Sequence, residues 1–421
     1  MRLIHTLSSC TVALLLAVQP LHGQESVATS EVFRRYADRV TKIQVVETRS
    51  GAKSTIGSGF FVGTGGHLIT NYHVVSKLVN SPERYRAEMI DVAGASHPVR
   101  VLAIDVVDDL AVLVTDVRDH SHFALAPVSI AQGARLYSLG HPEDLGLAIV
   151  EGTYNGYLPH ARQPRLHFTG SLNHGMSGGP TIAEDGRVVG INVATEGEEV
   201  SFLVPVERAV LLFQRALSPN GAPAPTLALV GQQLRDYQNA YLHDMFASNV
   251  KTIALGPFQV PTEPAPFFRC WADANRRKDL AYESVTHRCS TDDYVFIAGD
   301  ESSGTISVEH RLVSTTTLNP LRFFALYSAI FGRDNTPSGE EEHVTSWRCS
   351  TRNIRNADTP MRSVLCLRRY RKLGELYDAV LKVAVLGRSN VGLVSTLTMN
   401  GVTFDNVQKL SQRYLEHVSW R

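Results

Sequence analysis

Between residues 43 and 206 the chain is written in short β-type runs punctuated by glycine: "IQVVET", "GSGFFVG", "HLITNYHVV", "VRVLAIDV", "LAVLVTD", "ARLYSLG", "LAIVEGTYNGYL", "RLHFTG", "RVVGINVAT" and "EVSFLVPV". So many short runs with turn signals between them predict an all-β barrel or sandwich. Ahead of them, "SEVFRRYADRVTKI" reads as a short helix opening on a Ser30 cap. Behind them, "VERAVLLFQRAL" reads as a helix that closes the unit, and "SPNGAPAPT" (218–226) reads as a linker rich in Pro, Gly and small residues. The remainder, 227–421, mixes helical spacing ("LALVGQQLRDYQNAYLHDMFASN", "PLRFFALYSAIF", "DNVQKLSQRYLEHV") with strands ("YVFIAG", "GTISVEH", "SVLCLRRY"), so an α+β second domain is expected there.

The N-terminus, "MRLIHTLSSCTVALLLAVQPLHG", has an early Arg2, an apolar run too short to span a bilayer comfortably, and then Pro20 and a small Gly23. That is the layout of a cleaved signal peptide over 1–23, and it implies an exported chain, periplasmic or secreted, with no stable membrane insertion. Removing it removes Cys10 and leaves Cys270, Cys289, Cys349 and Cys366. An even count in an exported chain favours disulfides, and the sequence-near pairs Cys270–Cys289 and Cys349–Cys366 are the expected ones. Zinc is the competing use, but no pair has Cys-x-x-Cys spacing. "RCSTDD" (288–293) and "RCSTRN" (348–353) echo one another, as two disulfide-tied hairpins or by chance.

Lys+Arg and Asp+Glu balance at 41 each, which gives no reason to expect nucleic acid or an anionic membrane as partner. "GRSNVGLV" (387–394) imitates a phosphate-binding loop, but Leu393 and Val394 stand where lysine and a hydroxyl are needed, so nucleotide binding is rejected. "RRYRK" (368–372) reads as a solvated basic face. There is no H-E-x-x-H among the histidines, and no metal or cofactor is expected.

Three segments of the β-rich half go together chemically. His73 ends the run "HLITNYH", Asp109 precedes the buried-looking "LAVLV", and Ser177 lies in "NHGMSGGP". Amide hydrolysis by a serine needs a hydroxyl that attacks, an imidazole that takes and returns its proton, and a carboxylate that orients the imidazole. The chain order His, Asp, Ser is that of the chymotrypsin double barrel.

With "GSGFF", "TNYHVV", "DVVDDLAVL", "NHGMSGGP" and "SFLVP", the stretch from about 40 to 215 resembles the trypsin-like serine proteases of the HtrA/Deg type. The resemblance implies a chymotrypsin-like double β-barrel over 24–217 with catalytic His73, Asp109 and Ser177, Asp105 taking the first acid position of the motif and Asp108 being a neighbour. It implies an oxyanion hole from the N–H groups of Gly175 and Ser177, aided by Met176, where one donor is typically worth ~3 kcal/mol. It places Ser171 and Leu172 along the primary specificity pocket, and Ser201, Phe202 and Leu203 on a strand that pairs with substrate backbone, with Ser201 also within reach of Asp109. Ser171 stands where trypsin carries its selecting acid, so small or medium apolar side chains are the expected preference. Met176 replaces the family's Asn or trypsin's Asp, which removes the ion pair of zymogen activation. His174 replaces a proline. No PDZ signature follows the linker. The resulting expectation is an exported serine endopeptidase acting on protein or peptide substrates, with a homo-oligomer allowed. The competing classes are a non-catalytic binding protein on a protease scaffold and a quality-control protease with chaperone activity.

Overall fold

The computed structural model describes residues 28–421 except 196–199, 220, 276, 278, 292, 300 and 335. The expected signal peptide and Cys10 lie outside the described residues. A short helix α1 (Thr29–Tyr36) comes first. Ser30 lies inside it and Ala28 takes the cap position without a side-chain bond, so the predicted Ser30 cap is not used.

The glycine-punctuated stretch forms two closed six-stranded barrels. The first contains β1 (Val40–Glu47), β2 (Lys53–Val62), β3 (His67–Thr70), β4 (Tyr85–Ile90), β5 (Ser96–Asp105) and β6 (Leu110–Thr115), with helix α2 (Tyr72–Asn80) after β3. The second contains β7 (Arg135–Gly140), β8 (Ala148–Tyr157), β9 (Leu166–Phe168), β10 (Pro180–Ile182), β11 (Val188–Thr195) and β12 (Ser201–Pro205), closed by helix α3 (Val206–Leu217). Closure removes the free edges that so many short strands would otherwise expose. Phe60 and Ile69 of the first barrel share a core with Tyr137, Leu139 and Ile191 of the second, and Leu212 of α3 joins them.

One predicted run is corrected. In "HLITNYHVV" only His67–Thr70 is strand; from Tyr72 the chain is helical, so His73 opens a helix instead of ending a strand. Alternation over four residues cannot reveal that the next turn switches period.

After 218–226 comes helix α4 (Leu227–Ala247), a hairpin of β13 (Lys251–Leu255) and β14 (Phe258–Thr262), and then β15 (Phe268–Asn275), β16 (Glu283–Thr291), β17 (Val295–Ala298), β18 (Glu301–Ser303) and β19 (Ile306–Ser314). Helix α5 (Pro320–Phe331), β20 (Arg348–Asn356), β21 (Thr359–Arg369), β22 (Leu376–Val385), β23 (Val391–Thr403), helix α6 (Phe404–Leu415) and β24 (Ser419–Trp420) complete the chain. Seven strands form an antiparallel sheet in the order β15-β16-β19-β23-β22-β21-β20. Helices pack on it through Leu242 and Met245 of α4, Val407 and Leu410 of α6, and Phe323 of α5. The expected α+β architecture is therefore present. The rejected phosphate loop is the turn from β22 into β23, and Leu393 is core there.

Cys270–Cys289 and Cys349–Cys366 are disulfide-bonded. Each joins residues directly opposite one another, one pair across β15–β16 and the other across β20–β21. The two bonds thus tie both edge strands of the sheet to their inner neighbours.

The C-terminal region does not hang from the barrels on a loose tether. Tyr72, Val74 and Val75 of α2 form one apolar cluster with Val230 and Leu234 of α4, Val295 and Ile297 of β17, and Tyr370 and Leu376. Gln233 of α4 accepts from the Val106 N–H (2.8 Å) and donates to the Ile104 carbonyl (3.1 Å), bracketing the turn that leads to Asp109.

Candidate active site

The β5–β6 turn delivers Asp109 with φ 59°, a left-handed conformation that Asp tolerates better than most residues. Its carbonyl accepts from Asn71 Nδ2 (2.8 Å) and from the Tyr72 N–H (3.2 Å). Its carboxylate takes both available donors of the next residue: Oδ1 accepts from the His73 backbone N–H (2.8 Å) and Oδ2 lies 2.6 Å from Nδ1. That arrangement selects the tautomer with the proton on Nδ1 and leaves Nε2 as the basic nitrogen. Burial works against protonation of His73, but the charge and hydrogen bond of Asp109 outweigh it and raise the pKa above its ordinary 6.5.

Asp108 is held differently. It lies 3.7 Å from Arg208 and 3.9 Å from Arg165, and burial with the charge of Asp105 pushes it up to about 6. It makes no contact with His73 among the described residues.

The second barrel supplies the serine turn. Gly178 has φ 85°, and a Cβ there would meet Ser58 O and Thr70 Oγ1 at 2.3 Å and Asn71 N at 3.0 Å, so the turn presses against the backbone that leads into His73. Ser58 of the first barrel donates its N–H to Ser177 O (2.8 Å) and its hydroxyl to Gly175 O (2.7 Å). Buried Asn192 on β11 donates Nδ2 to the carbonyls of Met176 (3.1 Å) and Leu139 (3.2 Å). Its Oδ1 accepts from the hydroxyls of Ser138 and Thr181.

These bonds leave a particular set of donors. The Met176 N–H is taken by the Asn173 carbonyl (3.0 Å), so its expected help to an oxyanion is not available. The N–H groups of Gly175 and Ser177, on either side, have no acceptor among the described residues. Gly175 has φ 92°, and a Cβ there would stand 2.3 Å from the His141 carbonyl, so this loop needs glycine. His141 itself is kept neutral at neutral pH: burial, helped by Lys42, pushes it down to about 4.

Met176 is fully buried in an apolar cluster with Leu136, Leu172 and Leu203. Its side chain is a foundation under the serine turn. Met176→Asp is expected to cost about 3 kcal/mol or more, since an unpaired carboxyl would enter that cluster, while Met176→Leu should cost less than about 1.5 kcal/mol. Thermal unfolding of the two variants checks this.

The predicted pocket residues divide. Ser171 is exposed and Phe202 half-buried, but Leu172, Ser201 and Leu203 are buried. Ser201 Oγ donates to the Gly170 carbonyl (2.7 Å) and not to Asp109, because its strand belongs wholly to the second barrel. The expected addition of a peptide to "SFLVP" is also corrected: β12 is paired on one side with β11 and on the other with β9. The open edge belongs to β11 instead. It pairs with β10 over Val188–Ile191, and beyond that its Val193–Thr195 has β12 as its sole described strand partner.

Sequence reasoning missed Ser58, Asn71, Asn192 and Gln233. Ser58 and Asn71 sit inside the quoted "GSGFF" and "TNYHVV", so their motif membership was the available signal. Asn192 and Gln233 act through contacts between distant elements, and no local pattern marks them.

Two barrels, one carrying an imidazole on a carboxylate and the other a glycine-bracketed serine turn, divide the site as trypsin-like peptidases do, and residues 57–191 match the family described as trypsin-like peptidase domain. Within that class the barrels are similar to proteases of the HtrA type. The chain is 27% identical over 203 residues to mitochondrial serine protease HTRA2 of Drosophila grimshawi, covering 44% of this chain and 47% of that protein. It is 26% identical over 188 residues to chloroplastic protease Do-like 5 of Arabidopsis thaliana, covering 39% and 58%. The chain thus spans about half the length of the curated relatives it matches. Among solved structures, Deg5 aligns with 47% of this chain and 100% of its own at 23% identity and a TM-score of 0.41. The serine endoprotease from Yersinia pestis aligns with 47% and 70% at 24% identity and a TM-score of 0.40.

Proposed function

We propose that the chain is a serine endopeptidase that cleaves peptide bonds of protein substrates through an acyl-enzyme. Ser177 Oγ attacks the carbonyl, His73 Nε2 takes its proton and returns it to the leaving amine, and Asp109 holds the imidazole and stabilises its cation. The oxyanion of the tetrahedral intermediate is received by the N–H groups of Gly175 and Ser177. Substrate backbone pairs with the open edge of β11 at Val193–Thr195. Ser171, with no acid in its place, favours small or medium apolar side chains in the primary pocket. The observation that carries the reading is the two-point grip of Asp109 on His73 beside a serine turn whose Gly175 and Ser177 N–H groups have no acceptor among the described residues. A fluorophosphonate probe tests it: folded wild-type chain should be labelled and Ser177→Ala should not. Absence of labelling in folded wild type would favour a binding protein on a protease scaffold.

The raised pKa of His73 sets the acid limb. The imidazole must be neutral to act as base, so kcat/KM is expected to rise with pH and to reach half its plateau above 6.5. A pH–rate profile on a neutral peptide measures that midpoint.

The chain is further proposed to be exported after loss of residues 1–23. The early Arg2 and apolar run support this, as do two disulfides. N-terminal sequencing of the mature protein tests it. Among the described residues no helix is long and apolar enough to cross a membrane.

A further inference from the structure

The hairpin of β17 and β18 reaches from the C-terminal region to the site. On β17, Val295 and Ile297 point into the cluster shared with Tyr72 and Val74. Phe296 between them packs against the edge of that cluster and stays partly exposed. Its ring centroid lies 6.0 Å from the His73 imidazole at 68°, edge to face, and 6.3 Å from that of Tyr72.

The hairpin is anchored on three sides. Tyr72 Oη donates to the Ile297 carbonyl (3.3 Å). Arg162, from the second barrel, grips both ends of the segment: Nη2 donates to the carbonyls of Asp293 (2.7 Å) and Gly304 (2.8 Å). The same guanidinium lies over the ring of Tyr241, 4.5 Å from its centroid. At the far end, Glu301 meets Arg368 (3.2 Å), which also holds Asp378 (2.7 Å) in a fully buried triad. These contacts tie the hairpin to α2, to the second barrel and to the seven-stranded sheet.

We infer that Phe296 is a specificity-determining residue: it forms a fixed wall against which an apolar substrate side chain bordering the scissile bond packs. The inference rests on the peptidase reading above. A fixed apolar ring beside the imidazole rewards an apolar neighbour and limits its size, so the C-terminal region shares in choosing the bond that the barrels cut.

The experiment uses the full chain and a peptide library varied at the two positions that border the cleaved bond. The readout is the ratio of kcat/KM for apolar over polar, and large over small, residues at each position. Wild type should favour apolar residues at one of them. Phe296→Ala should lower that apolar preference about tenfold and admit larger side chains, with Phe296→Leu between the two. Unaltered ratios in a wild type and variants that all label with fluorophosphonate would overturn the inference and leave the peptidase reading standing. A uniform rise for every peptide would overturn it in favour of a blocking role. Failure of folded wild type to label would overturn both. If Phe296→Ala does not melt cooperatively, Phe296→Leu decides: unchanged ratios overturn the inference.

Discussion

Asp109→Asn is expected to leave the chain folded and to lower kcat about 10,000-fold. The backbone argument comes first: Asp109 has φ 59°, and Asn tolerates that region as well as Asp does. The new amide oxygen can still accept the His73 N–H, so the start of α2 keeps its bond. The change falls on the other atom. Where Oδ2 accepted from Nδ1–H, the amide now donates to Nδ1, which moves the ring proton to Nε2 and removes the base that Ser177 needs. The imidazolium formed during attack also loses its counter-charge. Measuring kcat alongside a thermal melt separates the two effects: a large fall in rate with a melting temperature close to wild type is the expected pair of results. Asp108→Asn is the control, because Asp108 faces Arg165 and Arg208 rather than His73.

Removing residues 227–421 is expected to abolish folding of what remains, where a modular second domain would be dispensable. In the whole chain Tyr72, Val74 and Val75 are almost completely buried, and they share a cluster with Val230, Leu234, Val295 and Ile297. Taking a large apolar side chain out of such an environment costs about 1.5–3 kcal/mol. Several lost together match the roughly 5–15 kcal/mol that holds a domain folded. The cut also removes Gln233 from the turn that presents Asp109, and the partners of Arg162. Soluble yield and thermal unfolding of residues 28–226 against the full chain measure the effect. A truncated chain that melts cooperatively near the full-length temperature would show that the barrels stand alone.

How much of this was legible beforehand follows from the range over which each signal acts. Alternation and glycine spacing are local, and they announced a β-rich unit, barrel or sandwich, while helical spacing announced α3 and α5. They failed at Tyr72, where the chain leaves a strand for a helix within two residues. His73, Asp109, Ser177 and Gly175 could be proposed because acyl transfer by a serine requires those residue types in recognisable company. Ser201 and Leu203 were assigned to substrate because "SFLVP" matched a motif, but β12 is paired over that stretch on both sides, with β11 and with β9. The disulfide partners followed from sequence nearness, since a hairpin places such residues opposite one another.

The sequence by itself determined two things: a histidine, an aspartate and a glycine-flanked serine in the order on which the proposed chemistry rests, and the β-rich texture that can hold them. Tertiary structure alone decided the rest. It placed Met176 beneath the serine turn, freed the N–H groups of Gly175 and Ser177 while engaging the one between, and set Phe296 beside His73. The physical reason is that these features are contacts between segments far apart in the chain. A contact of that kind depends on how two surfaces pack, and neither surface is written in any single stretch of residues.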